Sequence, residues 1–193
     1  SGHTWTFGRA LNTYYGVPGG FGVSAGLTSW AGNLGYNPRN GIQWNYTNGA
    51  STIQVALLAP GAVGVVAGGN NWIPDVEAAY RFGGGWGNIG IAGRYLANSR
   101  LYSGKLFTTI NFGNSGVSWR AQVAYDSGSA TRNVLSNELT VGSGLFAVFT
   151  PKVNGYLNGV ATFGGNSAVI AAATPGATAV ATSYGAALGL QFT

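Results

Sequence analysis

The sequence predicts an all-β protein, a closed antiparallel up-and-down transmembrane β-barrel of about 10–12 strands, with residues 1–193 forming one domain. Three observations carry this expectation. Apolar and polar residues alternate with a period of two in segment after segment, which is a strand signal and not a helical one. The segments run to about ten residues, the length a tilted strand needs to cross a membrane. The polar face is made of Gly, Ser, Thr, Asn and Gln with a few Arg, where a soluble sheet normally presents Lys and Glu to water.

The elements follow in order. After an opening segment, Thr4 to Tyr15, the run Phe21–Thr28 puts Phe21, Val23, Ala25 and Leu27 on one face. Gly41–Thr47 and Thr52–Leu57 alternate as strictly, so Ile42, Trp44 and Tyr46 oppose Gln43 and Asn45. Val76–Phe82 sets Glu77 and Arg81 against Val76, Tyr80 and Phe82. In Ile89–Tyr95, Arg94 falls on the face opposite Ile89 and Ile91. The longest alternation is Val117–Asp126: Val117, Trp119, Val123 and Tyr125 face one way, Ser118, Arg120 and Gln122 the other.

Gly16–Gly20, Asn48–Ser51, Gly83–Gly85 and Gly113–Gly116 read as hairpin turns, because Gly and Asn accept the positive φ such turns require. Longer polar connections are expected at Asn33–Asn40, Gly61–Asp75, Asn98–Ser103 and Ser127–Asn137. Short and long connections therefore alternate, as short periplasmic turns and longer external loops do in membrane barrels. On this pattern Thr4–Tyr15 runs downward, starting outside. Tyr14, Tyr15, Trp30, Phe82, Trp86, Phe112 and Tyr125 fall near segment ends, where interfacial aromatics belong.

Composition excludes other classes. Charged residues are 7 %, while Gly contributes 34 residues and aromatics 13 %, which is neither a disordered nor a collagen-like profile. Cysteine is absent, so there is no disulfide framework and no thiolate chemistry. Methionine is absent even at position 1, and a Ser1-Gly2-His3 start is expected of a processed chain. No run of eighteen apolar residues provides a transmembrane helix. The net charge of +5 comes from scattered residues, not a basic run, so no nucleic-acid partner is expected.

Catalytic chemistry is poorly provided for. The one histidine, His3, lies at a terminus where fraying is expected. Of the carboxylates Asp75, Glu77, Asp126 and Glu138, only Asp75 and Glu77 are close enough in sequence to share a face as an acid/base pair, and wall charges beside Arg81 and Arg94 are the plainer account. Gly83-Gly84-Gly85-Trp86-Gly87 does not open a helix after a strand and is not a phosphate cradle. No catalytic residue, metal site or cofactor is expected.

The cations are the informative group. Arg81, Arg94, Lys105 and Arg120 lie on consecutive expected strands and on the polar face. A charge on the lipid face at mid-membrane would cost about 2–4 kcal/mol, so a lumen placement is the cheaper one. With the Gly83–Gly85 turn centred near Gly84, Glu77 lies opposite Ala92 and diagonal to Arg94. Pore-lining residues are then Arg81, Arg94, Lys105 and Arg120 with Glu77, Gln43, Asn45 and Gln122. The same arginines would also brace the wall by pairing with Glu77 and Asp126. The Gly61–Asp75 connection is expected to fold inward, with Asn70, Asn71 and Trp72 as constriction candidates.

Between residues 70 and 165 the motifs Ile73-Pro74-Asp75-Val76-Glu77-Ala78-Ala79-Tyr80-Arg81-Phe82, Trp86-Gly87-Asn88-Ile89-Gly90-Ile91-Ala92-Gly93-Arg94, Ser118-Trp119-Arg120-Ala121-Gln122-Val123-Ala124-Tyr125 and Lys152-Val153-Asn154-Gly155-Tyr156 resemble the DcaP-like outer-membrane porins. Gly2-His3-Thr4-Trp5-Thr6-Phe7 is a weaker echo of an early strand of that family. The resemblance implies a trimeric barrel in the bacterial outer membrane for small, often anionic solutes, on a longer chain with more strands. Two function classes follow. One is a passive diffusion channel, weakly anion-preferring because cationic rings favour anions, whose partners are the lipid bilayer, small anionic or polar solutes and, in a homotrimer, copies of itself. The other is an exported, non-enzymatic β-structural subunit that self-assembles without a conducting pore.

Overall fold

The computed structural model describes residues 2–10, 39–60, 72–98, 100–127, 138–164 and 182–192. They form ten strands: β1 Gly2–Ala10, β2 Arg39–Asn48, β3 Ser51–Leu58, β4 Asp75–Gly84, β5 Gly87–Leu96, β6 Leu101–Asn111, β7 Val117–Asp126, β8 Glu138–Thr150, β9 Val153–Gly164 and β10 Thr182–Phe192. All belong to one antiparallel sheet in which each strand pairs with its neighbours in sequence. Ten strands fall within the number the chain length predicts. Among the described residues the sheet is open: β1 and β10 neither pair nor touch, so the expected closure is not seen there.

The two ends of the sheet differ. At one end β2–β3, β4–β5 and β8–β9 are joined by two residues each, and β6–β7 by residues 112–116. Gly49 at φ 56° and Gly113 at φ 55° supply the left-handed backbone that two of these turns need. At the other end the paired strand ends are separated in sequence by residues 11–38, 59–74, 97–100, 127–137 and 165–181.

β1 pairs directly with β2, from Gly2 opposite Thr47 to Ala10 opposite Arg39. The chain therefore enters the sheet at the short-turn end, and the expectation that it starts outside, on the long-loop side, is corrected. The expected strand Phe21–Thr28 and the aromatics Tyr14, Tyr15 and Trp30 lie outside the described residues. Asn98–Ser103 is also shorter than expected as a connection, because β6 already begins at Leu101.

Alternation holds strand by strand, and burial is inverted relative to a soluble sheet. Exposed large side chains occupy one face from β1 to β10, among them Phe7, Ile42, Leu57, Tyr80, Ile91, Leu106, Val123, Leu145, Leu157 and Leu188. The opposite face buries Gln43, Glu77, Ser103, Lys105, Thr109, Ser118, Gln122, Thr140 and Asn158. The buried hydrophobic residues beside them are mostly small: Ala56, Ala79, Ala92 and Ala124. No Lys, Arg, Asp or Glu occupies the apolar face of β2–β9. Tyr46, Tyr80, Phe82, Trp86 and Phe112 mark the short-turn end of that face, and Tyr95, Tyr102 and Tyr125 the other end. His3 is not a frayed terminus: it stacks 4.6 Å from Tyr46 and accepts a hydrogen bond from Trp44 Nε1 at 3.2 Å.

Candidate functional site

The polar face is built in rungs, because cross-strand partners share a face and successive same-face residues stand about 6.6 Å apart along a strand. The first rung with expected lining residues, one step in from Gly41–Leu58–Asp75 at the long connections, is Gln43–Ala56–Glu77–Arg94–Ser103. Next comes Asn45–Gln54–Ala79–Ala92–Lys105–Ala124–Thr140. The third rung runs Arg81–Gly90–Phe107–Gln122–Gly142, and the fourth Asn88–Thr109–Arg120–Gly144–Asn158.

Glu77 is thus directly opposite Arg94, not opposite Ala92 as a turn centred near Gly84 requires. The turn residues are Gly85 and Trp86, and Gly84 pairs with Gly87. Glu77 is fully buried on this rung. Arg94 donates from Nε to Ser103 Oγ at 3.0 Å, so it is fixed across β6 as well as facing Glu77 across β4. Gln43 donates from Nε2 to Asn45 Oδ1 at 2.9 Å, tying the first two rungs together on β2. Lys105 is buried between Ala92 and Ala124, whose short side chains leave room for its stem.

Arg81 and Arg120 are held differently. Each is half-buried, each faces a glycine across one neighbouring strand, and neither Nε has a hydrogen-bond acceptor among the described residues. The Arg120 guanidinium instead lies over the Phe146 ring, 4.3 Å from its centroid. The eight expected lining residues therefore sit on β2 and β4–β7, on one face, with the four cations confined to adjacent strands.

Asp75 and Glu77 are successive same-face residues of β4, and the Asp75 Oδ1 accepts the backbone N–H of Ala97 at 2.7 Å, which pins the β5–β6 connection to the start of β4. Trp72 is 77 % exposed at the end where residues 59–74 enter β4. Asn70 and Asn71 lie outside the described residues. Sequence reasoning missed Ser103, Thr109, Thr140 and Asn158, and with them the aromatics Phe107 and Phe146 on the polar face. The same parity count that placed Arg120 finds Phe146, since Thr140, Gly142, Gly144 and Phe146 alternate against Leu139, Val141, Ser143 and Leu145.

Among the described residues no group of three or more His, Asp or Glu is placed to hold a metal ion. No helix among the described residues is long and apolar enough to cross a membrane.

No family model matches the sequence, and no curated protein matches it. Among solved structures, the chain is similar to the crystal structure of the outer membrane channel DcaP of Acinetobacter baumannii, with a TM-score of 0.66 and 15 % identity. The fold is shared with an outer membrane channel. The match covers 98 % of this chain and 61 % of DcaP, so the chain spans about three fifths of that channel's length. The likeness read from strand motifs in residues 70–165 thus extends, as a fold, over nearly the whole chain.

Proposed function

We propose that the chain forms the wall of a water-filled pore in the bacterial outer membrane, through which small hydrophilic solutes diffuse passively with a weak preference for anions. The observation that carries this reading is the inversion of the sheet. An apolar face that runs across ten strands and carries no charge on β2–β9 is far larger than the few hundred Å² of contiguous apolar surface a soluble monomer exposes. Lipid is the solvent that suits it. Strands of about ten residues, tilted as barrel strands are, match an apolar band about 25 Å tall. The fold shared with DcaP supports the same reading.

In hydrocarbon, each unsatisfied backbone group costs several kcal/mol, so a sheet in a membrane closes its edges. β1 and β10 run in opposite directions along the sheet, and closure through them keeps every ladder antiparallel and every face consistent. The polar face then lines the lumen: Arg81, Lys105 and Arg120 give its middle rungs excess positive charge, Arg94 is offset by Glu77 and Asp126 on the rung nearer the long connections, with Asp75 one step further out, and Gln43, Asn45 and Gln122 supply neutral hydrogen bonding. Trp72 belongs to the mouth at the long-loop end. Transport needs no cofactor or covalent step, and protomers assemble as a homotrimer.

The unpaired edges of β1 and β10 favour a second reading, in which copies join edge to edge as a structural subunit. One set of measurements separates the two. A pore protein extracts only in detergent, migrates faster on gels unheated than boiled, and gives stepwise conductance in planar bilayers with a reversal potential of anion sign under a salt gradient. A heat-modifiable protein without conductance steps ends the pore reading. Solubility without detergent, with filaments on standing, establishes the second.

A further inference from the structure

The four wall cations are of two kinds. Arg94 is fixed by polar groups, facing Glu77 and donating to Ser103 Oγ at 3.0 Å. Arg120 has an aromatic ring instead. Its direct neighbour on β8 is Gly144, which offers no side chain. The space over Gly144 is already taken from β9: a Cβ placed there would collide with the Asn158 side-chain oxygen and would stand 2.6 Å from the Leu157 carbonyl oxygen. Arg120 cannot lie straight across this strand, and it leans along the same face to Phe146, the next same-face residue of β8. Its guanidinium carbon is 4.3 Å from the ring centroid, well inside the range of cation–π attraction, while its Nε is buried without an acceptor among the described residues.

We infer that Phe146 is the positioning residue for Arg120, holding the guanidinium against the wall so that its charge is a fixed feature of the lumen and does not swing across the water column. The inference rests on the pore reading for its functional consequence, but the contact itself does not. A planar guanidinium is suited to a ring face in a way a lysine ammonium is not. With the ring removed, the buried Nε has no acceptor among the described residues to hold it at the wall. Arg120 then extends into the lumen, carrying the same charge into the path of the ions.

The test uses Phe146→Leu, which keeps an apolar side chain but loses the ring, and Phe146→Tyr, which keeps it, each alone and combined with Arg120→Gln. Single-channel conductance is expected to drop and become noisier in Phe146→Leu and to return to the wild-type level in Phe146→Tyr. In the Arg120→Gln background, Phe146→Leu is expected to change nothing further. An equal drop in that background means the ring acts as bulk and overturns the inference.

A second measurement needs no conductance. In detergent micelles the Arg120 Nε–H resonance is expected to show an upfield ring-current shift that is lost in Phe146→Leu and kept in Phe146→Tyr. Failure of the wild-type protein to conduct ends the pore reading and leaves this resonance to decide the contact. If Phe146→Leu does not fold, the wild-type spectrum decides, because an Arg120 Nε–H at its random-coil position overturns the inference.

Discussion

Replacing Arg81 and Arg120 with Gln deletes two charges while keeping side-chain length and polarity, and the register allows the effect to be sized. The two arginines stand on β4 and β7, three strands apart, which at about 4.8 Å per strand is about 14 Å across the sheet. An ion midway between them is about 7 Å from each, where a unit charge in bulk water contributes about 0.6 kcal/mol, close to RT. At 0.1 M salt the Debye length of about 10 Å halves this, so the pair together favours an anion by about 0.6 kcal/mol, roughly a threefold enrichment. At 1 M salt, with a Debye length of about 3 Å, the same pair is worth about 0.1 kcal/mol. A low-dielectric wall focuses the field and raises the first figure. Cations are depleted by the same factor, so the double substitution should lower the anion-to-cation permeability ratio about eightfold at 0.1 M salt and only about 1.4-fold at 1 M. The assay is the reversal potential in planar bilayers at the two ionic strengths. An unchanged ratio at low salt would show that neither arginine faces the conducting water, and the assignment of this face to the lumen would fall with it.

Three other perturbations test the faces and the wall. Leu106→Arg, in the middle of the apolar face of β6, should cost about 2–4 kcal/mol in a refolding titration into lipid vesicles, whereas Gln54→Lys on the polar face should cost far less; equal costs would mean the apolar face does not meet lipid. Gly90→Ala pushes a methyl group into the Phe107 ring and to 2.6 Å from the Tyr80 carbonyl oxygen, and overpacking of this kind should cost about 1–3 kcal/mol in thermal unfolding, while Gly93→Ala, whose nearest neighbour is 3.7 Å away, should be close to neutral. Asp75→Ala removes the acceptor of the Ala97 N–H and should cost about 1–3 kcal/mol, with faster amide exchange confined at first to residues 97 and 98.

Faces were legible in the sequence because parity survives errors in everything else. Once Ile89, Ile91 and Tyr95 lie on one face, Arg94 lies on the other, wherever the hairpin turns. Partners were not legible, because they depend on where the turn is centred. Gly83-Gly84-Gly85 accepts a turn at more than one place, and moving its centre by one residue changes Glu77's partner from Ala92 to Arg94 without moving either off its face. The strand Gly2–Ala10 shows the same limit at longer range. Nothing local in its sequence says that it pairs with β2, on the far side of residues 11–38.

The Arg120–Phe146 contact lies at the far end of this scale. It depends on the register of β7 against β8, whose connection runs over residues 127–137 and carries no turn signal tight enough to fix an offset. It also depends on β9, since Asn158 fills the space that Gly144 leaves open. A single strand predicts which way an arginine points, and two registers are needed to predict what holds it. The charge on the wall can thus be read from alternation alone, while the stiffness of that charge is a property of three adjacent strands. Substitutions at Gly144 or Asn158 are expected to reach Arg120 only through this packing, which is why a charge count of the lumen does not by itself describe how the lumen handles an ion.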